Sequence, residues 1–379
     1  MNDRVFSDGE FEHYRRQFVL PRFGLEAQEK LKKARVLVVG SGGLGSPLLL
    51  YLAAAGVGQI GIVDFDQVDA SNLHRQVIFD SAQIGEPKVL AAKKRLEQIN
   101  PFIQIRTYEE RLTAANAMNL VSQYDVVADG TDNFPTRYLV NDACVLAGKP
   151  NVYGSVYQFE GQVAVFNYRD KAGTIGPNYR DIYPSPPPAG LVPNCAESGI
   201  LGVLPGIIGS MQALEVIKIL TGIGEVLSGK MALFDALAFS SRVFVVKRRP
   251  DNPLNGDRPV QKGLIDYEAF CGIGQPSGIK GISVEKYREL ELGAEPYQLI
   301  DVRESYEYQR VNMGGVSLPL SQLEEAVGKI DRDKKVIVHC EKGSRSQRAI
   351  ALLEKKHGFS NLINLEGGID AYLAKYPAT

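Results

Sequence analysis

The stretch VVGSGGLGS, Val38–Ser46, sets the architecture of everything around it. Gly40, Gly42 and Gly45 fall at the G-x-G-x-x-G spacing. The residues leading into them, RVLVVG, form a short apolar run ending in glycine, the pattern of a buried parallel strand. The residues that follow, LGSPLLLYLAAAG, give a helix closed by Gly56. A glycine loop at such a strand-to-helix turn offers backbone N–H groups and a helix N-terminus to phosphate. Asp64 follows where a dinucleotide-binding fold places its ribose-binding acid. The fingerprint alone is therefore compatible with a nicotinamide cofactor, and residues downstream must discriminate.

Outward from the loop, QIGIVDFD predicts a second strand, followed by a helix from Pro87 to Ile99, while IQIRTY and YDVVADG supply further strands. Strands alternating with helices predict a Rossmann-like, doubly wound α/β sheet. Past Gly148, NVYGSVYQFEGQVAVFNY predicts two strands joined by a tight connection, which makes the sheet mixed. YPSPPPAGLVPN, Tyr183–Asn194, is kept out of helix and central strand by its prolines. A glycine-studded apolar helix (Ile207–Leu220) and a hairpin-like pair near 230–247 complete this half. Pro, Gly and Asn then accumulate, and β/α alternation restarts in YQLIDVR and KKVIVHC. The expected organisation is a first domain over 1–250, a linker over 251–278, and a smaller α/β domain with a parallel sheet over 279–379.

The chain has 379 residues, which favours two cores over one. With 44% hydrophobic and 23% charged residues and a formal net charge of −1, it has no long run of one charge sign. Nucleic acid and membrane surfaces are therefore not expected partners. There is no apolar run of spanning length, and the start MNDRVFSDGEFEHYRRQF lacks the apolar core of a secretory signal. The four cysteines, Cys144, Cys195, Cys271 and Cys340, contain no C-x-x-C pair. That argues against a disulfide framework and a thiolate zinc site, and for a reducing cytoplasm.

Three features weigh against NAD. Asp64 and Asp66, one residue apart at a strand end, are placed to face the same crevice. Asn72 and Arg75 follow in SNLHRQ, Lys88 opens the next helix, and Arg16 stands in the early YRRQ. These gather cations suited to a triphosphate. DGTDN ends another strand with Asp129 and Asp132, and a carboxylate there is a candidate magnesium ligand. An NAD-dependent oxidoreductase, supported by the glycine loop alone, would leave these residues without a role.

GSGGLGS, DFDQVDASNLHRQ, GEPKV, DGTDNFPTRYLVND and CAESGILGVLPGIIGSMQALEVIK together resemble the MoeB/ThiF family of sulfur-carrier adenylyltransferases, relatives of ubiquitin-activating enzymes. The resemblance implies Mg-ATP as cofactor and adenylation of the terminal Gly-Gly carboxylate of a small ubiquitin-like carrier. It further implies that Gly40, Gly42 and Gly43 face the phosphates, with Asp64 on the ribose and Asp66 beside it. Asn72, Arg75 and Lys88 would act on the polyphosphate, Asp132 would hold magnesium, and Arg16 would reach across a homodimer interface. Many members carry a zinc site of two C-x-x-C pairs. The matching positions here are Asn178, Asp181, Asn252 and Asn255, so no structural zinc is expected. Cys195, in VPNCAESG, occupies the position of a thiol implicated in covalent sulfur or carrier handling.

In the second domain, VIVHCEKGSRSQRAI puts Cys340 at the end of an apolar strand, before a polar loop and a helix. Backbone N–H groups, a helix N-terminus, Lys342 and Arg345 are all surroundings that stabilise a thiolate. The loop Cys340, Glu341, Lys342, Gly343, Ser344, Arg345, with LIDVRESYEY before it and LEGGIDAYLAKYP after it, resembles a rhodanese sulfurtransferase domain. Cys340 would carry a persulfide, while Asp301 and Arg303 would brace the fold. RVNMGGVSLPL departs from the family's usual G-H-I-P-G-A segment. The two resemblances together imply a carrier thiocarboxylate as product, feeding pathways such as molybdopterin or thiamine synthesis. The sulfur donor would be thiosulfate or a persulfide donor such as a cysteine desulfurase. An adenylation-only activator or a non-catalytic carrier scaffold is the remaining alternative.

Overall fold

The computed structural model describes residues 5–187, 199–272 and 279–377, and the run ahead of the glycine loop forms β1, Arg35–Val39. Val36, Leu37 and Val38 have no exposed surface at all. Val36 and Val38 enter one core with Leu48, Leu52 and Ile62, whereas Leu37 and Val39 enter another with Tyr124 and Tyr138. A strand with both faces covered has to be apolar throughout, which is why β1 reads as a continuous run.

The sequence-predicted strands follow as β2 (Gln59–Val63), β3 (Gln104–Tyr108), β4 (Val126–Asp129), β5 (Asn151–Tyr157) and β6 (Glu160–Phe166). The later hairpin is β7 (Lys230–Asp235) and β8 (Ser240–Val245). They form one sheet in the order β3-β2-β1-β4-β5-β6-β7-β8. From β3 to β5 every pairing is parallel, and from β5 to β8 every pairing is antiparallel. The sheet is mixed and doubly wound, with the chain direction switching sides between β1 and β4.

The apolar helix runs Val203–Thr221, four residues longer at its start than its glycines suggested. Its length and apolarity are enough to cross a bilayer. Here it packs against the helix Gly45–Ala55 and against β5 and β6. Buried Gln212 donates to the Asp129 and Val152 carbonyls, at 2.7 and 3.0 Å, and buried Glu215 accepts from the Leu227 N–H at 2.9 Å. Gly209 permits the close crossing, because a Cβ there would lie 2.3 Å from the Leu44 carbonyl oxygen.

Residues 251–271 lie in the stretch expected to be a linker, yet they pack into this first unit. Asn252, Leu254, Tyr267 and Cys271 are buried. The anchor is the buried pair Arg180–Asp142, at 2.7 Å, to which Tyr267 Oη and Gln261 Nε2 donate at 2.8 and 2.9 Å. Burial opposes the Arg180 charge, but hydrogen bonds to Asp142 win and hold its pKa above the ordinary value. The four positions matching the family's zinc ligands are tied to one another. Asn178 Nδ2 donates to Asn255 at 2.9 Å, Asn252 Nδ2 to Asp181 at 2.7 Å, and the Asn178 N–H to Asp181 at 2.7 Å.

The second unit is a five-stranded, wholly parallel sheet. Its strands are β9 (Gly281–Ile282), β10 (Tyr297–Asp301), β11 (Val316–Ser317), β12 (Lys335–His339) and β13 (Leu362–Leu365), in the order β11-β10-β12-β13-β9. Asp301 and Arg303 form a buried pair at 2.6 Å beside buried His339. The divergent RVNMGG segment turns through Gly314 and Gly315, both at positive φ, to reach β11.

Asp142→Ala, which strands a buried guanidinium, is expected to cost the first unit about 3–5 kcal/mol in denaturant unfolding. Asp181→Ala should lower its thermal midpoint, whereas a zinc chelator should leave the wild-type midpoint where it is.

Candidate functional site

Three glycine backbones make room for the first site. Gly40 leaves β1 at φ +89°, and a Cβ there would lie 3.0 Å from the Gly130 carbonyl oxygen at the end of β4. A Cβ on Gly45 would lie 2.1 Å from the Gly40 oxygen. The turn is thus pressed against β4, and the helix Gly45–Ala55 starts at the point where the strand order reverses. Open α/β sheets bind ligands at that point.

The cleft there is lined by Gly40, Gly42 and Gly43 from the loop and by Asp64 and Asp66 from the end of β2. Arg75, Lys88 and Asp132 complete the group of sequence-predicted residues. β2 ends at Val63, so Asp64 and Asp66 reach the cleft through a turn instead of strand alternation: the Asp66 N–H donates to Asp64 Oδ1 at 3.0 Å. The other Asp64 oxygen accepts from both the N–H and the hydroxyl of Ser41, each at 2.8 Å. This carboxylate therefore locks the glycine loop to β2.

Lys88 is only 4% exposed and pairs with Asp66 at 2.9 Å, as a nearly buried ammonium must. Arg75 is held by Asn72 Oδ1 at 2.6 Å. Asn72 itself is not among the residues lining the cleft; its side-chain oxygen accepts from Arg75. Asp132 is exposed in the cleft, while its neighbour Asp129 is buried, and burial pushes the Asp129 carboxyl above its ordinary value.

Arg16 lies on the exposed side of the helix Asp8–Phe18 and does not line the cleft of its own chain. Cys195 lies outside the described residues. Sequence reasoning missed Arg137, which lines the cleft from the helix Phe134–Leu146. Its guanidinium sits over Tyr153, 5.7 Å from the ring centre, and donates to the Thr131 carbonyl at 3.3 Å. An arginine in a mostly buried helix that starts just after DGTDN was the available signal. Arg111 was also missed; it stacks 4.4 Å over Phe65 at the rim.

In the second unit, Cys340 directly follows β12 and is 1% exposed. Its Sγ accepts from the Gly343 N–H at 3.1 Å and meets the Ser346 hydroxyl at 3.5 Å. Gly343, at φ +100°, turns the loop into the helix Ser344–His357, whose first turn faces the sulfur. Ser346 is oriented in turn by Asn364 Oδ1 at 2.6 Å. Glu341 and Lys342 are exposed.

Arg345, expected beside the thiol as a cation that favours the thiolate, also has a carboxylate partner. Its guanidinium makes a two-pronged pair with Glu307, at 2.7 and 2.8 Å, so its charge is already compensated. The Glu307 hydrogen bonds push the Arg345 pKa further up. For Glu307, burial alone would raise the carboxyl, but Arg345 and the Glu304 N–H outweigh burial and hold it below the ordinary 4.5.

These features define a class: an α/β nucleotide-phosphate site joined to a second α/β unit that cradles a single thiol. Comparison with known proteins places the chain within that class. The ThiF family matches residues 14–255, and the rhodanese-like domain matches 284–375. A Mycobacterium tuberculosis protein named probable adenylyltransferase/sulfurtransferase MoeZ is 46% identical over 97% of this chain and 94% of its own length. The pig adenylyltransferase and sulfurtransferase MOCS3 is 41% identical over 99% of this chain and 88% of its own. A Thermus thermophilus sulfur carrier protein adenylyltransferase is 54% identical over 70% of this chain and 97% of its own. The fold of the E. coli MccB crystal structure with ATP is similar, with a TM-score of 0.53 at 21% identity, covering 68% of this chain and 75% of that one. The chain belongs to the ThiF family and carries a rhodanese-like domain after it; it is an adenylyltransferase joined to a sulfurtransferase.

The depressed Glu307 pKa carries a pH signature. A carboxyl held low in the folded state contributes stability that is complete above its unfolded value and is lost as pH falls through the folded one. Acid titration of the second unit's unfolding should therefore show a loss below about pH 4.3 that is diminished in Glu307→Gln.

Proposed function

We propose that the chain adenylates the C-terminal glycine of a ubiquitin-like sulfur carrier and then converts it to a thiocarboxylate with sulfur held on Cys340. The observation that carries this reading is the convergence of nearly buried Lys88 and of Arg75 on the glycine loop, in a chain that also cradles a thiol.

In this reading the triphosphate lies along Gly42 and Gly43, and Asp64 keeps lone pairs free for a ribose hydroxyl. Lys88 exchanges Asp66 for phosphate, so its ammonium stays compensated throughout. Asp132 suits magnesium, which takes one or two carboxylates and fills its shell with phosphate oxygens and water. The ion would offset phosphate charge. Arg75 and Lys88 are aimed where charge gathers on the departing pyrophosphate as the carrier carboxylate attacks the α-phosphate. The exposed Arg16 suits a residue supplied to a partner's cleft in a homodimer.

The persulfide on Cys340 then attacks the acyl carbon, AMP leaves, and the carrier is joined to Cys340 through an acyl disulfide. A second thiolate, for which Cys195 is our candidate, attacks the Cys340 sulfur. The carrier departs as thiocarboxylate, and a cellular reductant reopens the resulting disulfide. A reducing cytoplasm keeps these thiols available. The donor that charges Cys340 is thiosulfate or a persulfide. An adenylation-only activator would leave the Cys340 cradle without use.

Lys88→Ala should lower carrier-dependent ATP–pyrophosphate exchange by about 100-fold or more. Cys340→Ala should spare that exchange and abolish the mass change of a Gly-Gly-ended carrier in which sulfur replaces one oxygen. Loss of both activities in Cys340→Ala would refute this division of labour.

A further inference from the structure

Three buried polar side chains meet under the Cys340 loop. Cys340, Ser346 and Asn364 are 1%, 0% and 2% exposed. They come from the end of β12, the first turn of the helix Ser344–His357, and β13. The Ser346 hydroxyl has one proton and three acceptors within reach: Asn364 Oδ1 at 2.6 Å, the Gly343 carbonyl at 3.0 Å and Cys340 Sγ at 3.5 Å. The closest of these takes the proton, since it alone lies at the separation of a short O–H···O bond. Ser346 Oγ is then left facing the sulfur with a lone pair instead of a proton. That suits a thiol: Cys340 S–H donates to Ser346, Ser346 O–H donates to Asn364, and each hydrogen in the row has an acceptor. It does not suit a thiolate, which needs donors and has the Gly343 N–H at 3.1 Å.

We propose that Asn364 is a positioning residue for the Cys340 nucleophile: it withholds the Ser346 proton from the sulfur and so favours the thiol over the thiolate until the hydroxyl turns. The proposal rests on the reading of Cys340 as the sulfur carrier within the enzyme. Turning the hydroxyl towards a thiolate strands the Asn364 oxygen in a buried place, which costs an unmade hydrogen bond. Ionisation passes one proton to solvent and alters no other bond. The strand does not depend on the Asn364 side chain, because its N–H donates to the Lys280 carbonyl at 2.8 Å in the ladder that joins β13 to β12 and β9. Leu, of similar volume, or Val, suited to a strand, removes the acceptor and keeps the sheet.

Charged groups surround the sulfur on its other sides. Glu341, Lys342 and Arg345 belong to the loop, and Glu307 pairs with Arg345 from the helix Ser305–Arg310. Asp301 on β10 pairs with Arg303, and burial pushes the neighbouring His339 imidazole below its usual value. Arg348 lies in the second turn of the helix Ser344–His357. Glu366 and Asp370 follow β13, and the Asp370 N–H donates to the Glu341 carbonyl at 3.0 Å. A substitution at Asn364 leaves all of them in the chain, so the comparison isolates the Ser346 proton.

The test follows iodoacetamide alkylation of Cys340 in the full chain from acid to alkaline pH, read by mass on the peptide that carries this residue. In Asn364→Leu and Asn364→Val the rate on the acid side of the wild-type midpoint should rise about tenfold. The alkaline plateau, where the sulfur is ionised in every variant, should stay at the wild-type rate. Ser346→Ala placed on Asn364→Leu should cancel the rise, because the released hydroxyl is then gone. Asn364→Asp, which keeps an acceptor at that place, should give no rise. An unchanged acid limb in both apolar variants would overturn the proposal, as would a rise that survives Ser346→Ala. A rise of acid limb and plateau together would also overturn it, showing loosened packing around the thiol. Wild-type chain that takes no sulfur onto Cys340 from glutathione persulfide, by intact mass, would instead sink the sulfur-carrier reading on which the proposal stands.

Discussion

The turn that leaves β1 is packed against the end of β4 so closely that no side chain fits between them. Gly40, Gly45 and Gly130 meet backbone to backbone, and a Cβ on Gly130 would lie 2.9 Å from the Gly40 carbonyl oxygen. This contact brings a helix N-terminus to the point where the sheet reverses, and Asp64 then holds the loop there through Ser41. Lys88, Arg75, Asp132 and Arg137 all converge on the space that this turn leaves open. A wider turn would separate the loop amides from the cations, and neither set alone makes a triphosphate site.

Compensation of buried cations recurs throughout the chain, with different consequences in each place. Lys88 is matched by Asp66, whose carboxylate is half exposed at the cleft. Arg180 is matched by Asp142 inside the core, where nothing can replace it, and the pair serves to hold later chain against the sheet. Arg345 is matched by Glu307 beside the Cys340 loop, where both side chains are largely shielded from solvent. Leaving the charge uncompensated would be costly in all three, most where burial is deepest. What differs is whether the compensating anion can leave.

The amide and carboxylate cluster of Asn178, Asp181, Asn252 and Asn255 shows a hydrogen-bonded closure at the positions that the family resemblance matched to zinc ligands. Two of its contacts join segments far apart in sequence, with Asn178 and Asn255 separated by 77 residues and Asn252 and Asp181 by 71. Together with the Arg180–Asp142 network it accounts for residues 251–271 joining the first unit, although their composition is that of a linker. Pro, Gly and Asn are as frequent in loops tied down by side chains as in free ones, so composition could not separate the two.

Features carried by neighbours in the chain were legible before any coordinates. β1, the glycine loop and its helix, and the Cys340 loop before the helix Ser344–His357 depend on residues within one strand or one turn, where spacing alone specifies the backbone. Features carried by distant partners were not. The pairing of Arg345 was not legible because Glu307 lies 38 residues earlier, and Tyr267 read as linker because Asp142 lies 125 residues away. The resemblance put Asn72 near the polyphosphate, and only the tertiary structure shows that its side chain holds Arg75. Periodicity encodes which residues are buried, but it says nothing about which charge meets which. That pairing follows from long-range packing, and here it sets where residues 251–271 pack and which carboxylate Arg345 meets.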